Sequence, residues 1–388
     1  MSWLNAAIFL VLIAGHTELW VTLINRSHGL RLPARFLRHL RHFHDVWIPV
    51  FPFVLVWFVG LSGPALLRGG SWADLPAGWS AYLALCAAGA VGLVIHIARR
   101  WYQAVPAVQV SNHATTVDIV DRLGYKPLGP GPFRFLTYVP GNEIFRVEVA
   151  EKTYRLPRLP TSWDGLSILH LTDWHFIGTI DRAFFEEVTD LCEELRADLV
   201  VLTGDLLDNQ RLVEWLPMTL GRLTAPLGCY FVLGNHDWDL NPDETRKWLE
   251  ELGWRSAAGR CHVVEHEGHC LALAGTERPW MGQHPDFSIA PDDAFRLLLS
   301  HTPDNLPWAR RQGVDLMLCG HNHGGQVRLP GIGPVYSPSL HGCVYSGGAY
   351  WRPPTLLYVS RGLSGRHPLR WGCKPELTKL VLKASQSS

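Results

Sequence analysis

Five short apolar runs in this chain each end in residues that bind metal ions well. Ser167-Ile-Leu-His-Leu-Thr runs into Asp173-Trp-His175, and Asp198-Leu-Val-Val-Leu-Thr203 runs into Gly204-Asp205. Cys229-Tyr-Phe-Val-Leu233 ends in Gly234-Asn-His-Asp237, Arg296-Leu-Leu-Leu-Ser300 in His301, and Asp315-Leu-Met-Leu-Cys319 in Gly320-His-Asn-His323. Asp, Asn and His supply oxygen and imidazole nitrogen, a donor set suited to Mn, Fe or Zn rather than to a soft thiolate site. Two divalent ions ~3.5–4 Å apart, joined by a carboxylate, clamp the attacking and leaving oxygens of an in-line displacement at phosphorus. They also lower the pKa of a bound water, giving hydroxide near neutral pH.

Each run taken alone has a bland reading. An Asp-x-His or a Gly-Asp after a strand is ordinary turn chemistry, and a His-x-His is a metal pair only in a minority of cases. The five in series, each after its own strand, point to a site, because open α/β sheets collect their ligands at the C-terminal ends of strands. A helix is predicted over Arg182–Arg196, so the elements that must position the motifs are short strands and connecting helices.

The first ~100 residues are of another kind. Trp3–Ile24, Val46–Leu67 and Trp79–Ala98 are apolar runs near the ~20 residues that cross a bilayer. His16 and Glu18 sit inside the first, where polar side chains face other helices or water. A signal peptide is the rival reading of that run, but no basic segment precedes it and two more apolar runs follow. Buried helices of a soluble protein are the rival for all three. Arg26, Arg31, Arg35, Arg38 and Arg41 follow the first run, Arg68 alone lies between the second and third, and Arg99 and Arg100 close the third. Basic residues stay on the cytoplasmic side. The expectation is a multi-pass protein of the cell inner membrane with its catalytic domain facing the cytoplasm. Gly29–His44 spaces Arg and Leu/Phe as a basic amphipathic helix lying on the bilayer does. A solvated interfacial face explains His39, His42 and His44 with Asp45 better than a metal site.

The expected organisation is a transmembrane anchor over 1–100, a Pro- and Gly-rich connector with short strands over 101–164, and a catalytic domain over 165–388. Charge is balanced, 35 basic against 35 acidic residues, and no basic aromatic stripe occurs, so no nucleic-acid partner is expected. The eight Cys form no Cys-x-x-Cys pair, which fits a reducing compartment without a disulfide framework.

Asp173-Trp-His175, Gly204-Asp205, Gly234-Asn-His-Asp237, His301 and Gly320-His-Asn-His323 together resemble the calcineurin-like metallophosphoesterases over roughly residues 165–365. The membrane-anchored bacterial branch is similar in continuing the last motif as Gly-His-x-His-Gly-Gly-Gln, here Gly320–Gln326. Trp174 departs from that branch, where Leu is common, and is expected to alter the pocket wall. The resemblance implies a four-layer α-β-β-α sandwich behind the transmembrane helices. It implies two metals, the first held by Asp173, His175 and His323, the second by Asn235, His301 and His321, with Asp205 bridging. It gives the attack to a metal-bridging hydroxide, contact with the phosphate and leaving group to His236, and the orienting of His236 to Asp237. Anchoring suggests a lipid-linked phosphoester or phosphoanhydride, of the phosphodiesterase or UDP-diacylglucosamine pyrophosphatase type. The alternative function, a metal-bound sensing or binding module without turnover, predicts a missing ligand or a missing His236, and neither is missing.

Weaker signals remain. Cys261, His262, Glu265, His266, Glu267, His269 and Cys270 are candidates for a third metal but read better as a hairpin with its tip at Glu267-Gly268. Cys319 reads as a core thiol. Gly324-Gly325 allows a tight backbone after the last motif. His341 is a candidate for the pocket lining, and Arg278 and Arg361 are candidate phosphate partners, with surface roles as the rival.

Overall fold

The structure is a computed structural model in which residues 3–385 are described; positions 1–2 and 386–388, the ends of the expected anchor and catalytic segments, lie outside them. In chain order the elements begin with α1 (Trp3–His28), α2 (Ala34–Leu55) and α3 (Ala77–Trp101), then β1 (Gln109–Asp118), α4 (Ile119–Leu123), β2 (Arg146–Leu156) and β3 (Ser167–Leu171). There follow α5 (Arg182–Leu195), β4 (Leu199–Thr203), β5 (Cys229–Val232), α6 (Asn235–Trp238), α7 (Pro242–Glu251), β6 (Arg255–Ser256), β7 (Cys261–His266) and β8 (His269–Thr276). The chain closes with β9 (Phe295–Ser300), α8 (Leu306–Arg311), β10 (Leu316–Cys319), β11 (Arg328–Leu329), β12 (Gly333–Pro334), β13 (Gly348–Arg352), β14 (Thr355–Val359) and β15 (Glu376–Ala384). Two compact units result, one of residues up to Ala104 with Pro330–Val344, the other of Val105–Leu329 with Tyr345 onward.

In the helical unit, Trp3–His28, Arg35–Leu61 and Ala77–Trp101 are long and apolar enough to cross a membrane. Helices α1 and α3 approach closely through small residues: a Cβ at Gly15 would lie 1.8 Å from the Cys86 carbonyl oxygen, and one at Gly89 would lie 2.3 Å from the Gly15 carbonyl oxygen. The basic stretch expected as a separate interfacial helix is instead, from Ala34 on, the first turns of α2, because no Gly or Pro separates His44 from Val46. His44 is therefore buried against Trp20, ring centroids 5.1 Å apart, while His39 and His42 are exposed. Pro49 and Pro52 each remove a donor from α2, and the ladder widens into a π-helical turn at Val56–Leu61. Segment Pro330–Val344 belongs to this unit through the buried Asn25 of α1, whose amide donates to the Val335 carbonyl at 3.1 Å and accepts from the Ser337 N–H at 3.0 Å.

In the second unit a seven-stranded sheet, β1-β2-β15-β3-β4-β5-β6, faces a six-stranded sheet, β13-β14-β10-β9-β8-β7. The strand period of two divides the apolar residues between faces. Ile168, Val201, Tyr230 and Val232 of the first sheet meet Leu271, Leu297, Leu299, Leu318 and Tyr358 of the second in an inner core. Their neighbours Leu169, Leu171, Val200, Leu202 and Phe231 point the other way, against Phe184, Phe185, Val188 and Leu191 of α5. Each of these aromatic side chains contributes about 1.5–3 kcal/mol on full burial. Leu298, Met317 and Leu357 do the same on the far side against Leu306 and Ala309 of α8. The order of layers is α-β-β-α, as the resemblance implies.

The stretch 101–164, expected as a connector, supplies more than short strands. β1 pairs antiparallel with β2, and β2 pairs parallel with β15, Glu148 opposite Glu376. The sequence hides this because β1 is a mostly exposed edge strand of Ser, Asn, His and Thr without apolar alternation, and the partner of β2 lies more than 200 residues downstream.

Candidate metal centre

The parallel strands β3, β4 and β5 of one sheet and β9 and β10 of the other end at the same place, and the five motifs begin there. Asp173, His175, Asp205, His321 and His323 all have positive φ, between 49° and 71°. Non-glycine residues adopt that conformation rarely, and clusters of them mark functional sites. The motif glycines let the loops close. A Cβ on Gly234 would sit 2.2 Å from Asp205 Oδ1, and one on Gly320 would sit 2.4 Å from Asp173 Oδ2.

Two groups of ligand atoms converge. In the first, His175 Nε2 lies 3.2 Å from His323 Nε2, 3.6 Å from Asp205 Oδ2 and 3.8 Å from Asp173 Oδ1. In the second, His301 Nε2 lies 3.1 Å from Asp205 Oδ2, 3.0 Å from His321 Nδ1 and 3.2 Å from Asn235 Oδ1. Asp205 belongs to both. All seven residues singled out as ligands are thus brought together. Imidazole nitrogens at such separations turn lone pairs toward one point, and a buried set of imidazole and carboxylate donors fits a divalent cation in each group. The ring tautomers agree: His301 Nδ1 donates to the Thr203 carbonyl at 2.7 Å, which leaves Nε2 free to coordinate.

A third group was not foreseen. Asp208 lies three residues after Asp205 with its side chain only 5% exposed, and its two oxygens take Nδ1–H from two rings, His175 at 2.8 Å and His236 at 2.5 Å. Burial opposes its charge, but His236 and His175 hold its carboxyl far below the usual range. Burial likewise opposes a charge on His236, yet Asp205 and Asp208 raise its pKa above the ordinary value. The His236 side chain keeps 23% exposure while those of His175 and His301 have none, so it faces the opening of the site.

The orienting role expected of Asp237 falls to Asp208. Asp237 points away from the His236 ring, as neighbours on a helical turn do. Its oxygens accept the N–H groups of Leu206 and Leu207, both at 3.0 Å, and of Gly234 at 2.9 Å. Asp237 thus ties the second motif to the third, and burial with the charge of Asp205 pushes its carboxyl up to about 6.

Other expectations change as well. Trp174 does not line a pocket but is buried in the outer core, stacked 5.7 Å from Phe185. Trp280 is the wall residue, 5.1 Å from the His321 ring and 5.7 Å from that of His301. Arg361 is committed to carboxylates, 2.6 Å from Glu148 and 3.4 Å from Glu376, rather than left for phosphate. Arg278 is exposed, and His341 lies in the segment that belongs to the helical unit. Cys319 is a buried core thiol whose pKa burial raises well above the ordinary value. Strands β7 and β8 form the expected hairpin, with Cys261 opposite Ala274 and Cys270 opposite Glu265, and its residues join no converging ligand group among the described residues. Arg370, fully buried, donates to the carbonyls of His323 at 2.9 Å and Arg361 at 2.8 Å, and its guanidinium lies 3.3 Å from His323 Nδ1. Asp208 had one signal, a carboxylate three residues beyond the second motif; Trp280 and Arg370 had none.

The profile of the family described as Calcineurin-like phosphoesterase matches residues 166–325. The chain is 32% identical over 256 residues to the uncharacterized metallophosphoesterase YkuE of Bacillus subtilis, covering 63% of this chain and 88% of that one. It is 29% identical to the phosphodiesterase YaeI of Escherichia coli, over 55% of this chain and 81% of that one. It is 25% identical to the UDP-2,3-diacylglucosamine pyrophosphatase LpxG of Chlamydia muridarum, over 58% of this chain and 85% of that one.

Proposed function

This chain belongs to the calcineurin-like metallophosphoesterases, and on that premise we propose that it is a membrane-anchored hydrolase with a two-metal centre acting on a lipid-linked phosphoester or phosphoanhydride. One observation carries the two-metal reading: the carboxylate of Asp205 is shared by two separate groups of converging ligand atoms. Asp173, His175 and His323 would hold one divalent ion and Asn235, His301 and His321 the other, with Asp205 contributing to both. Mn, Fe and Zn all suit this donor set. When bound, the ions supply Lewis-acid charge at the phosphoryl oxygens and activate the attacking water.

The chain's own groups supply the rest. Asp208 fixes the His236 ring through Nδ1 and turns Nε2 toward the open side, 4.0 Å from Asp205 Oδ2. Asp205 and Asp208 raise the pKa of His236 above its ordinary value, which favours a proton on the ring, to be given to the leaving oxygen or held against the charge that develops on phosphorus. Arg370 and Cys373 both donate to the His323 carbonyl, which holds the last motif in its left-handed turn.

Three helices long and apolar enough to cross a membrane support anchoring, and the Arg distribution around them supports a cytoplasmic catalytic unit at the inner membrane. Anchoring and the likeness to LpxG support a lipid-linked substrate. The test uses the full chain in detergent loaded with Mn²⁺. It should bind two equivalents of metal and cleave bis-p-nitrophenyl phosphate, with Asp205→Asn inactive. A screen of nucleotide-diphosphate lipids, phospholipids and simple phosphodiesters then ranks substrates. Activity unchanged by Asp205→Asn, or one equivalent of metal at saturation, overturns the two-metal reading.

A further inference from the structure

Between β1 and β2 the second unit carries a surface that water does not suit. Tyr125 is 52% exposed, Phe135 68%, Tyr138 61% and Val139 38%, four large side chains within fifteen residues. Contiguous exposed apolar groups on a folded unit mark interaction sites. Phe135 and Tyr138 sit three apart in the 3-10 turn Arg134–Tyr138, where such positions eclipse, so both point the same way. From Gly124 to Asn142 the sequence holds two cations, Lys126 and Arg134, and no carboxylate, while Arg122 just before them is paired with Glu187 at 2.8 Å. Lys126 donates to the Thr137 carbonyl at 2.6 Å, with its amine 4.2 Å over the Tyr138 ring, so one positive charge stands among the aromatic groups.

This lip is fastened to the metal centre. The Gly129 N–H donates to the Thr179 carbonyl and the Gly131 N–H to the Gly178 carbonyl, both at 3.0 Å, and the Asp181 N–H donates to the Pro127 carbonyl at 3.0 Å. These partners follow His175 by only a few residues. The approach is so close that a Cβ on Gly129 would lie 2.2 Å from the Gly178 oxygen. On the other side the Phe133 ring lies 4.5 Å from His367, whose carbonyl accepts from Gln326, the residue that closes the last motif.

We propose that Tyr125–Val139 is a lipid-binding lip that rests on anionic headgroups beside the metal centre, so that a phosphoester is taken from the plane of the bilayer. Tyr and Phe with interspersed cations and no acid match the membrane–water interface, where aromatic rings sit at headgroup level and cations meet anionic lipid. The same chain carries helices suited to a bilayer, which makes lipid the occupant at hand. The catalytic consequence rests on the phosphoesterase reading, while the surface itself does not.

The full chain is reconstituted in bilayers of phosphatidylcholine and phosphatidylglycerol doped with photoactivatable phosphatidylglycerol, and crosslinked peptides are mapped by mass spectrometry. Residues 125–139 should label along with α1–α3. The variant Phe135→Asp/Tyr138→Asp should lose the lip label and keep the helix label. Label confined to the helices of the parent chain, or crosslinks from the lip to a second copy or another protein instead of lipid, overturns the proposal whatever the variant does. On a diacyl nucleoside-diphosphate lipid in the same bilayers, the variant should lose about tenfold in kcat/KM, with no change on bis-p-nitrophenyl phosphate. Equal loss on both substrates means a structural role and overturns the coupling. A parent inactive on both substrates while the lip still labels means that the phosphoesterase reading has failed and the lipid surface has not.

Discussion

Asp208 holds two imidazoles at once, one from each side of its carboxylate, and so couples a proposed metal ligand to the proposed proton donor. An amide cannot do this: Asn offers one acceptor oxygen, and its NH₂ would face a ring N–H. Asp208→Asn is therefore expected to weaken Mn²⁺ binding by about 10–100-fold, the usual cost of losing an outer carboxylate. It should also lower kcat by on the order of 10²-fold through His236. Stepwise Mn²⁺ titration and steady-state kinetics separate the two effects, and wild-type metal affinity in the variant would show that the His175 ring is held by other means. Asp237→Asn should behave differently, because Asp237 binds only backbone N–H groups and an amide oxygen keeps part of that pattern.

At the scale of the elements, β15 decides how the sheets are tied. Its Glu376 is buried between them and accepts from Lys152 of β2 at 2.5 Å and from the Tyr358 hydroxyl of β14 at 2.8 Å. Burial would raise this carboxyl, but Arg361 and Lys152 hold it well below the usual range. A depressed folded pKa gives stability that is present above the unfolded value of about 4.3 and lost only as pH falls through the folded one. Glu376→Gln leaves Lys152 buried without its counter-charge and should cost about 3–5 kcal/mol in thermal or denaturant unfolding at pH 7. Asp315, at the foot of β10, has the opposite sign. Burial pushes its carboxyl up to about 6, against the Arg296 N–H and the charges of Arg158 and Arg296. Keeping it ionised therefore costs stability above pH 6, and the cost fades as pH falls toward the unfolded value near 4. Asp315→Asn, which can still accept from Arg296, should raise the melting temperature by a few degrees at pH 8 and change little at pH 4.5. Equal shifts at both pH values would mean that the effect is not electrostatic.

At the scale of the whole molecule, the proposed metals are held by loops from both sheets of the second unit. Chelation should lower that unit's melting temperature by at least about 5 °C, since ions that bind only the folded state stabilise it by mass action. An unchanged transition in EDTA would mean that the loops need no cation. The three apolar helices predict retention in the membrane fraction through high-salt and carbonate washes, with release only by detergent. Release by salt alone would remove the anchor from the proposed function. The chain also enters the helical unit twice, once at its start and again over Pro330–Val344, directly after the last metal motif. The chain thus passes between the helical unit and the second unit at more than one point along its length.

The local signals in the sequence were strong where one strand and its own turn carry the information. Apolar runs ending in Asp173, Asp205, Asn235, His301 and His321 marked the strands and the polar residues that converge at their ends, because a strand's C-terminal turn presents its polar residue whatever lies elsewhere. The three long apolar helices were legible because length and composition alone mark them as able to cross a bilayer. What only the tertiary structure decided depends on partners far apart in the chain. β1 and β2 became sheet strands because β15 pairs with β2 from the other end of the molecule. Arg370 and Trp280 reached the centre through loops with no motif. The His236 ring went to Asp208 rather than to its neighbour Asp237, because side-chain direction on a turn, not adjacency in sequence, sets which carboxylate a ring can meet.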